Sequence, residues 1–350
     1  MAEYSQPTFN VQSYLSARPQ YPSTIYTRIK SFHRGASSLL LDLGCGPGQA
    51  SWPLLPEFSK ITGMDPGEGM IRQAKLALKD LRHVSRGRQD GNYEDDGGRG
   101  SDGDLDGSGP ETEVQYIVGK AETLDMIETN SVDMIVAGTA AHWFDFDKLW
   151  PEIERVTKFN ATVAFWTYDI PYPTHYPALA PFISSSVYSA PETARFIPQP
   201  GASIIRSLYH ILPRPSPTTA WSTIQLNTYP TTTSEGVPYI PVLPPPPTGL
   251  AEGTEKATET ETDWDLRTDN LTTFTALAEA KRTNSSYFLW RERNLDVPVE
   301  EDYVARDVGE IKRRVLEERR RGVGVNVGKE LSDDEVWVMR PMGLLLMRRA

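Results

Sequence analysis

LLLDLGCGPG, residues 39–48, decides the fold. Leu39, Leu40, Leu41 and Leu43, interrupted only by Asp42, form an apolar run of the length of a strand buried on both faces of a parallel sheet. The run stops at Gly44. Gly44, Gly46 and Gly48 then alternate, removing side chains where the backbone must turn sharply and approach a bound molecule. A helix expected from Gln49 to Phe58 presents its N-terminal amides at the same place. Asp42, near the carboxyl end of the strand, adds an acceptor there.

A glycine-rich turn between a strand and a helix serves several cofactors, and the spacing separates them. The dinucleotide fingerprint G-x-G-x-x-G requires glycine at position 49, which is Gln49, whereas D-x-G-x-G-x-G read from Asp42 is met at every position. This pattern resembles class I S-adenosylmethionine (SAM)-dependent methyltransferases, in which the acid and the glycines hold the amino-acid end of SAM. Another nucleotide site and a bare structural turn are the competing readings.

The 350 residues accommodate one large α/β domain with elaborations or two small ones, and a single domain is the expectation. A net charge of -11 argues against nucleic acid as the main partner. One cysteine excludes an intramolecular disulfide framework, and five scattered histidines lack metal-ligand spacing, so no metal is expected. No apolar run reaches the length of a membrane span, and MAEYSQPTFN has neither a basic nor an apolar leader region. A soluble, cytoplasmic protein without a membrane partner is expected; its oligomeric state is not legible.

Along the chain, Phe9 to His33 is rich in aromatics, with Ile25, Ile29 and Phe32 on one helical face and Tyr14, Arg18 and Tyr21 in the proline-punctuated part before it. Residues 1–35 are read as a lid over the carboxyl edge of the sheet, or as an edge helix that covers apolar surface. KITGMDP is a second strand ending at Asp65, an acid placed either to bind both ribose hydroxyls or to cap a helix from Gly67 to Leu81. Residues 86–113, with eight glycines and nine acids, read as a flexible insertion that carries six of the eleven net negative charges. Strand three covers Val114 to Val118. Ala121 and Glu122 follow near an expected adenine site, Glu122 being equally readable as a solvated acid. Strand four, Val132 to Ala137, delivers His142, Trp143, Phe144 and Asp145 to the carboxyl edge. There Trp143 and Phe144 can wall a pocket, and Asp145 reads as a helix N-cap. ATVAFWTYD is strand five, with Trp166 and Tyr168 toward the same edge.

Residues 36–168 thus form the expected cofactor-binding core, and 169–212 with 263–325 the cap and substrate segments. WSTIQLNTY alternates like a strand, and the Pro/Thr-rich residues 230–262 read as a second flexible insertion. One helix is expected from Thr272 to Trp290 and an amphipathic one from Glu301 to Arg321. The KRR and RRR clusters of the latter read as a solvated face rather than a nucleic-acid surface. Residues 331–350 are expected to close the sheet as a strand pair.

The motifs RPQYP (18–22), LDLGCGPG (41–48), GMDPGEGMI (63–71) and AHWFDFDKLW (141–150) together resemble the fungal enzymes similar to trans-aconitate methyltransferase. The resemblance implies a Rossmann-like class I methyltransferase fold: a mostly parallel seven-stranded sheet, an antiparallel last strand and a helical cap. It also implies SAM as cofactor, held by Asp42, Gly44, Cys45, Gly46, Gly48, Asp65, Pro66, Met70, Ala121 and Glu122. QPG at 199–201 and the run from Thr272 to Trp290 echo the same family, but Asn284 replaces a tryptophan and Ala202 an arginine, both on the substrate side.

The expected activity is methylation of a small molecule, foremost at a carboxylate, with Arg18 and Arg282 among the arginines able to orient it. Tyr14, Tyr21, Trp143 and Trp166 are the expected substrate contacts. A hydroxyl or thiol acceptor needs a base, for which His142 stands at the right edge unless it is a satisfied core histidine. A SAM-binding protein without turnover is the alternative of another class.

Overall fold

The computed structural model describes residues 18, 20–89, 112–190, 192, 194–215, 220–229, 270–323 and 331–350. Tyr14, the expected insertion at 230–262 and most of that at 86–113 lie outside the described residues.

Strands β1 (Leu39–Leu43), β2 (Lys60–Asp65), β3 (Glu113–Val118), β4 (Val132–Gly138), β5 (Thr157–Tyr168), β7 (Trp221–Tyr229) and β10 (Met342–Arg349) form one sheet in the order β3-β2-β1-β4-β5-β10-β7. The first five are mutually parallel, and β10 runs antiparallel to both β5 and β7. Alternation along each strand divides the core between the two faces. Leu41, Leu43, Ile135, Ala137, Val163 and Phe165 belong to one cluster, and Leu40, Met134, Val136, Ala164 and Trp166 to the other. Helix α1 (Ser23–Phe32) covers the second face with Ile25, Tyr26, Ile29 and Phe32. It therefore packs on the sheet, and of the described residues of segment 1–35 Arg18 and Tyr21, which precede it, are those that line the cavity described below.

The glycine turn leads into a 3-10 helix, Trp52–Glu57, instead of the expected α-helix over 49–58. Pro53 and Pro56 explain the difference, since each removes a backbone donor that an α-helix needs. Helix α2 (Glu68–Gln89) runs eight residues past the expected end at Leu81. Helix α3 (Phe146–Val156) buries Leu149, Trp150 and Ile153 against the first face.

A second, three-stranded sheet was not expected. β6 (Tyr172–Pro173), β8 (Asn270–Thr273) and β9 (Glu335–Met339) pair antiparallel in the order β6-β9-β8. The two strands of residues 331–350 thus do not pair with each other: β9 belongs to this small sheet and β10 to the large one. Around the small sheet lie α4 (Ala180–Tyr188), α6 (Phe274–Arg282), α7 (Ser285–Arg291) and α8 (Tyr303–Arg320), which share a core of Tyr172, Phe274, Trp290, Tyr303, Val308 and Val338. The single helix expected from Thr272 to Trp290 is broken at Thr283 and Asn284. In that Thr-Asn-Ser-Ser run short polar side chains compete for backbone groups, and the Thr283 hydroxyl donates to the Ala280 carbonyl at 2.7 Å. Of the basic runs of α8, Arg313 and Arg314 pair with Glu310 within the helix, while Lys312 pairs with Asp334 and Arg319 donates to the Ser332 carbonyl outside it.

Two short crossings tie the sheets together side by side. β5 passes into β6 through Asp169–Pro171, β9 passes into β10 through Arg340–Pro341, and the Asp169 amide donates to the Pro341 carbonyl at 2.9 Å.

Candidate functional site

At the end of β1 the chain turns through Gly44 (φ +66°) and Gly46 (φ +53°), a region that side-chain-bearing residues rarely adopt. A Cβ at Gly44 would lie 2.6 Å from that of Ala140, whereas one at Gly46 would meet nothing within 4 Å. Gly44 is therefore needed for close packing on the β4 loop, and Gly46 leaves open space beside the turn. The Asp65 carboxylate clasps this turn from β2: one oxygen accepts from the Gly46 amide at 3.0 Å and the other from the Gly67 amide at 2.7 Å. Burial raises the Asp65 pKa from its ordinary value, and those two amides oppose the shift. Both oxygens keep a second lone pair for a ligand.

Asp42 lies completely buried below the turn, and neither of its carboxylate oxygens has a hydrogen-bonding partner among the described residues. Burial lifts its pKa to about 7, with the neighbouring Asp65 charge adding and Ser51 opposing. An unpartnered buried acid beside an open turn suits a cationic ligand group. The ammonium and sulfonium of SAM are of that kind, so the donor set fits the expected cofactor.

The turn opens into a cavity of about 290 Å³ that continues to the cap. Of the expected cofactor residues, Gly44, Cys45, Gly46, Asp65 and Met70 line it. Asp42, Gly48, Pro66, Ala121 and Glu122 do not. Ala121 is packed in the core, and Glu122 accepts from the Asp145 amide at 2.9 Å. Asp145 occupies the N-cap position of α3, but its side chain pairs with Lys148 instead of capping.

On the acceptor side, Arg18, Tyr21, His142 and Trp143 line the cavity as expected. Arg18 Nη1 donates to the Tyr168 hydroxyl at 3.2 Å, and the Tyr21 hydroxyl to Thr139 Oγ1 at 3.3 Å. His142 sits in a 3-10 turn after β4, backed by Gly201 of helix α5 (Gly201–Arg206), where a Cβ would meet the His142 carbonyl oxygen at 3.0 Å. That contact gives the glycine of the QPG motif its packing reason. Burial, reinforced by the Arg18 charge, lowers the His142 pKa to about 3. The ring is neutral near pH 7 and far below the range useful to a general base.

Two expected substrate residues are placed elsewhere. Trp166 is fully buried, with its ring centroid 5.4 Å from that of Tyr21 and 6.0 Å from that of Tyr26. Position on the strand suggested the edge, but side-chain alternation sends it into the sheet face. Arg282 makes a double contact with the buried Asp302, at 2.8 and 3.1 Å, and so braces the cap. Its neighbour Lys281 lines the cavity instead, together with Asp169, Tyr188 and Arg340, which the sequence reading did not select, and with Asn284 and Ala202, the two positions read there as substrate-side. For Asp169 and Tyr188 the available signal was their position just past the end of strand five and in the next segment. For Arg340 there was none, because only the crossing between the sheets brings it to the site. Among the described residues no cluster of metal-ligating side chains occurs, and no helix is long and apolar enough to cross a membrane.

A first parallel strand ending in a glycine turn, an acid at the end of the second and an antiparallel strand beside the fifth define the class I methyltransferase fold. Residues 41–163 match the family model described as a methyltransferase domain. A probable SAM-dependent methyltransferase of Saccharomyces cerevisiae, CRG1, is 27% identical over 47% of this chain and 47% of its own. A trans-aconitate 2-methyltransferase of an Enterobacter species is 41% identical over 13% of this chain and 19% of its own. The chain spans about half the length of the first curated relatives it matches. A solved structure described as a candidate type II methyltransferase from Anaeromyxobacter dehalogenans shares the fold, with a TM-score of 0.53 at 21% identity over 95% of this chain and 97% of its own.

Proposed function

We propose that this protein transfers the methyl group of SAM to a carboxylate oxygen of a small organic acid. One observation carries the reading: a single cavity joins the glycine turn and Asp65 to a second compartment walled by Arg18, Tyr168 and the cap segments 169–212 and 263–325. When bound, SAM supplies an electrophilic methyl on a sulfonium. Asp42, the turn and Asp65 hold the donor end, and Arg18 orients the acceptor. A carboxylate is already ionised near pH 7 and needs alignment and exclusion of water rather than a base. The neutral, weakly basic His142 favours such an acceptor over a hydroxyl, and its placement suits a wall and positioning role.

The test is incubation of the full chain with methyl-labelled SAM and a panel of acids, phenols and thiols, followed by mass analysis of the products. Methyl esters are the expected products. Label in phenol or thiol products alone refutes the carboxylate assignment, and no product from any member, with SAM binding intact, refutes turnover of these acceptor classes.

A further inference from the structure

Resting on the carboxylate reading, we propose that the acceptor is a hydroxy acid, and that Asp169 is a specificity-determining residue that accepts a hydrogen bond from the hydroxyl on its body. Three observations converge on this assignment. The first is an open hydrogen-bond acceptor in the wall of the cavity. Asp169 directly follows β5, is 2% exposed and lines the cavity. Its Oδ1 accepts from the Tyr188 hydroxyl, while its Oδ2 has no hydrogen-bond partner among the described residues. A buried acceptor left unmade is costly, and a donor on a ligand removes that cost. Burial raises the Asp169 pKa, and the Tyr188 hydroxyl, the adjacent Ile170 amide and the Arg206 charge oppose the rise by favouring the ionised form, which only accepts.

The second is that this acceptor is held in place. The Asp169 amide donates to the Pro341 carbonyl at 2.9 Å, which fixes its backbone at the crossing between the sheets. Tyr188 ends α4, and the Arg206 guanidinium lies 5.0 Å from its ring centroid while donating to Ser184 Oγ at 3.2 Å. Asp169 is thus anchored through both its backbone and one carboxylate oxygen. The other oxygen is preorganised for a donor that arrives from the cavity.

The third is the company this pair keeps. Ile170 and Pro171 of the same crossing, and Ile183 and Val187 of the same helix, also line the cavity. An apolar wall with one polar pair rewards a carbon body for leaving water and lets one group fix its orientation. The charge of the donor follows from the rest of the lining. Arg18, Lys281 and Arg340 face the same cavity and bound SAM adds a sulfonium, so an ammonium would meet like charge. A second carboxylate would bring like charge to Asp169 and no donor. A neutral hydroxyl avoids both.

The hydroxyl is a handle, and the transfer stays at the carboxylate. A lone pair of a carboxylate oxygen attacks the methyl carbon, the C–O bond forms as the C–S bond breaks, and the bonding pair returns to sulfur. The products are a neutral methyl ester and the neutral thioether S-adenosylhomocysteine, and Asp169 takes up no proton.

The test measures kcat/KM of the full chain with SAM for hexanoate, its 2-, 3- and 5-hydroxy derivatives and the corresponding oxo and amino acids. Alkaline hydrolysis sorts the products, since it cleaves methyl esters and spares methyl ethers. At least one hydroxy acid is expected to exceed hexanoate, and its own oxo and amino analogues, by about tenfold or more. Asp169→Ala is expected to bring the ratio of that hydroxy acid to hexanoate to within about twofold of one. Asp169→Asn offers the Tyr188 hydroxyl a carbonyl and the cavity an amide donor, and should narrow the gap between hydroxy and oxo acid; it decides alone if Asp169→Ala does not fold. A merely structural Asp169 would lower all acids together and leave both ratios unchanged. Esters formed without preference for any hydroxy acid, an amino acid ahead of every hydroxy acid, or unchanged ratios in the variants overturn the inference while the carboxylate reading stands. Base-stable ethers overturn both. If no product forms, calorimetric titration of the same acids into protein saturated with S-adenosylhomocysteine decides. Tighter binding of a hydroxy acid than of hexanoate, lost in the Asp169 variants, supports the ligand class while the transfer reading fails, and equal or absent binding overturns the inference itself.

Discussion

The two ends of the cavity are built on opposite plans. The donor end is local and made largely of backbone: ten consecutive residues, 39–48, supply a strand, a turn and the amide clasped by Asp65. The acceptor end is made of side chains drawn from Arg18, Tyr168, Asp169, the cap helices and Arg340, which are distant in sequence and meet through the two sheets. A site built from backbone tolerates few substitutions at its turn because the chain conformation itself sets the geometry of the site. A site built from dispersed side chains is tuned one residue at a time.

This contrast breaks if a cap variant damages the donor end. Arg282→Ala leaves the Asp302 carboxylate buried without its cation, while Asp302 still caps α8 through the Ala305 amide and accepts from Tyr287. A loss of about 3–5 kcal/mol of stability is expected, read as a lowered melting temperature, with SAM affinity retained in the folded fraction. Gly44→Ala probes the converse. The left-handed conformation and the 2.6 Å approach to Ala140 together should cost about 2–5 kcal/mol, and calorimetry should show it as lost SAM binding. A variant that binds SAM as wild type does would mean that the turn relaxes more freely than its geometry suggests.

Asp65→Ala sharpens the donor side. It removes the acceptor of two backbone amides as well as any contact to the ribose, and SAM affinity should fall by about 1.5–3 kcal/mol while the melting temperature changes less. Equal loss in stability and affinity would make Asp65 a loop clasp alone.

The last effect, which appears only as a pH dependence, concerns Asp42. Its carboxyl titrates near 7 in the fold, above its unfolded value, so between about pH 4 and pH 7 the folded chain holds more protons and stability falls as pH rises. Asp42→Asn should remove that slope, a difference on the order of 3 kcal/mol between pH 4.5 and pH 7.5, measured as paired melting curves without SAM. With SAM present the wild type should bind more tightly as pH rises through about 7, because only the ionised acid meets a cation. An identical pH slope in wild type and variant would detach Asp42 from the titration.

The donor end was legible because its information is contiguous. Strand β1, its glycine spacing, Asp65 at the end of β2 and the strand over Trp221–Tyr229 all fall where periodicity and turn chemistry put them. The break in the expected helix over 49–58 has a local cause in Pro53 and Pro56. The acceptor end resisted for physical reasons. Arg18, Arg195, Arg206 and Arg282 all lie in capping segments, yet only Arg18 lines the cavity; Arg206 donates to Ser184, and Arg282 is consumed by Asp302. Which arginine is spent on structure depends on where an acid is buried, and Asp302 is far from Arg282 in sequence. Arg340 was unreadable for a related reason: residues 331–350 look like one closing hairpin, and nothing local says that its two strands join different sheets.

That separation has a mechanical consequence. The cap has its own apolar core around Tyr172, Trp290 and Val338, distinct from the two cores of the large sheet, and the adjacent crossings at Asp169–Pro171 and Arg340–Pro341 are latched by one amide. Arg340 sits in one of these crossings and also lines the cavity, so the join between the two sheets and the wall of the pocket share a residue, and a change at that join reaches the pocket directly.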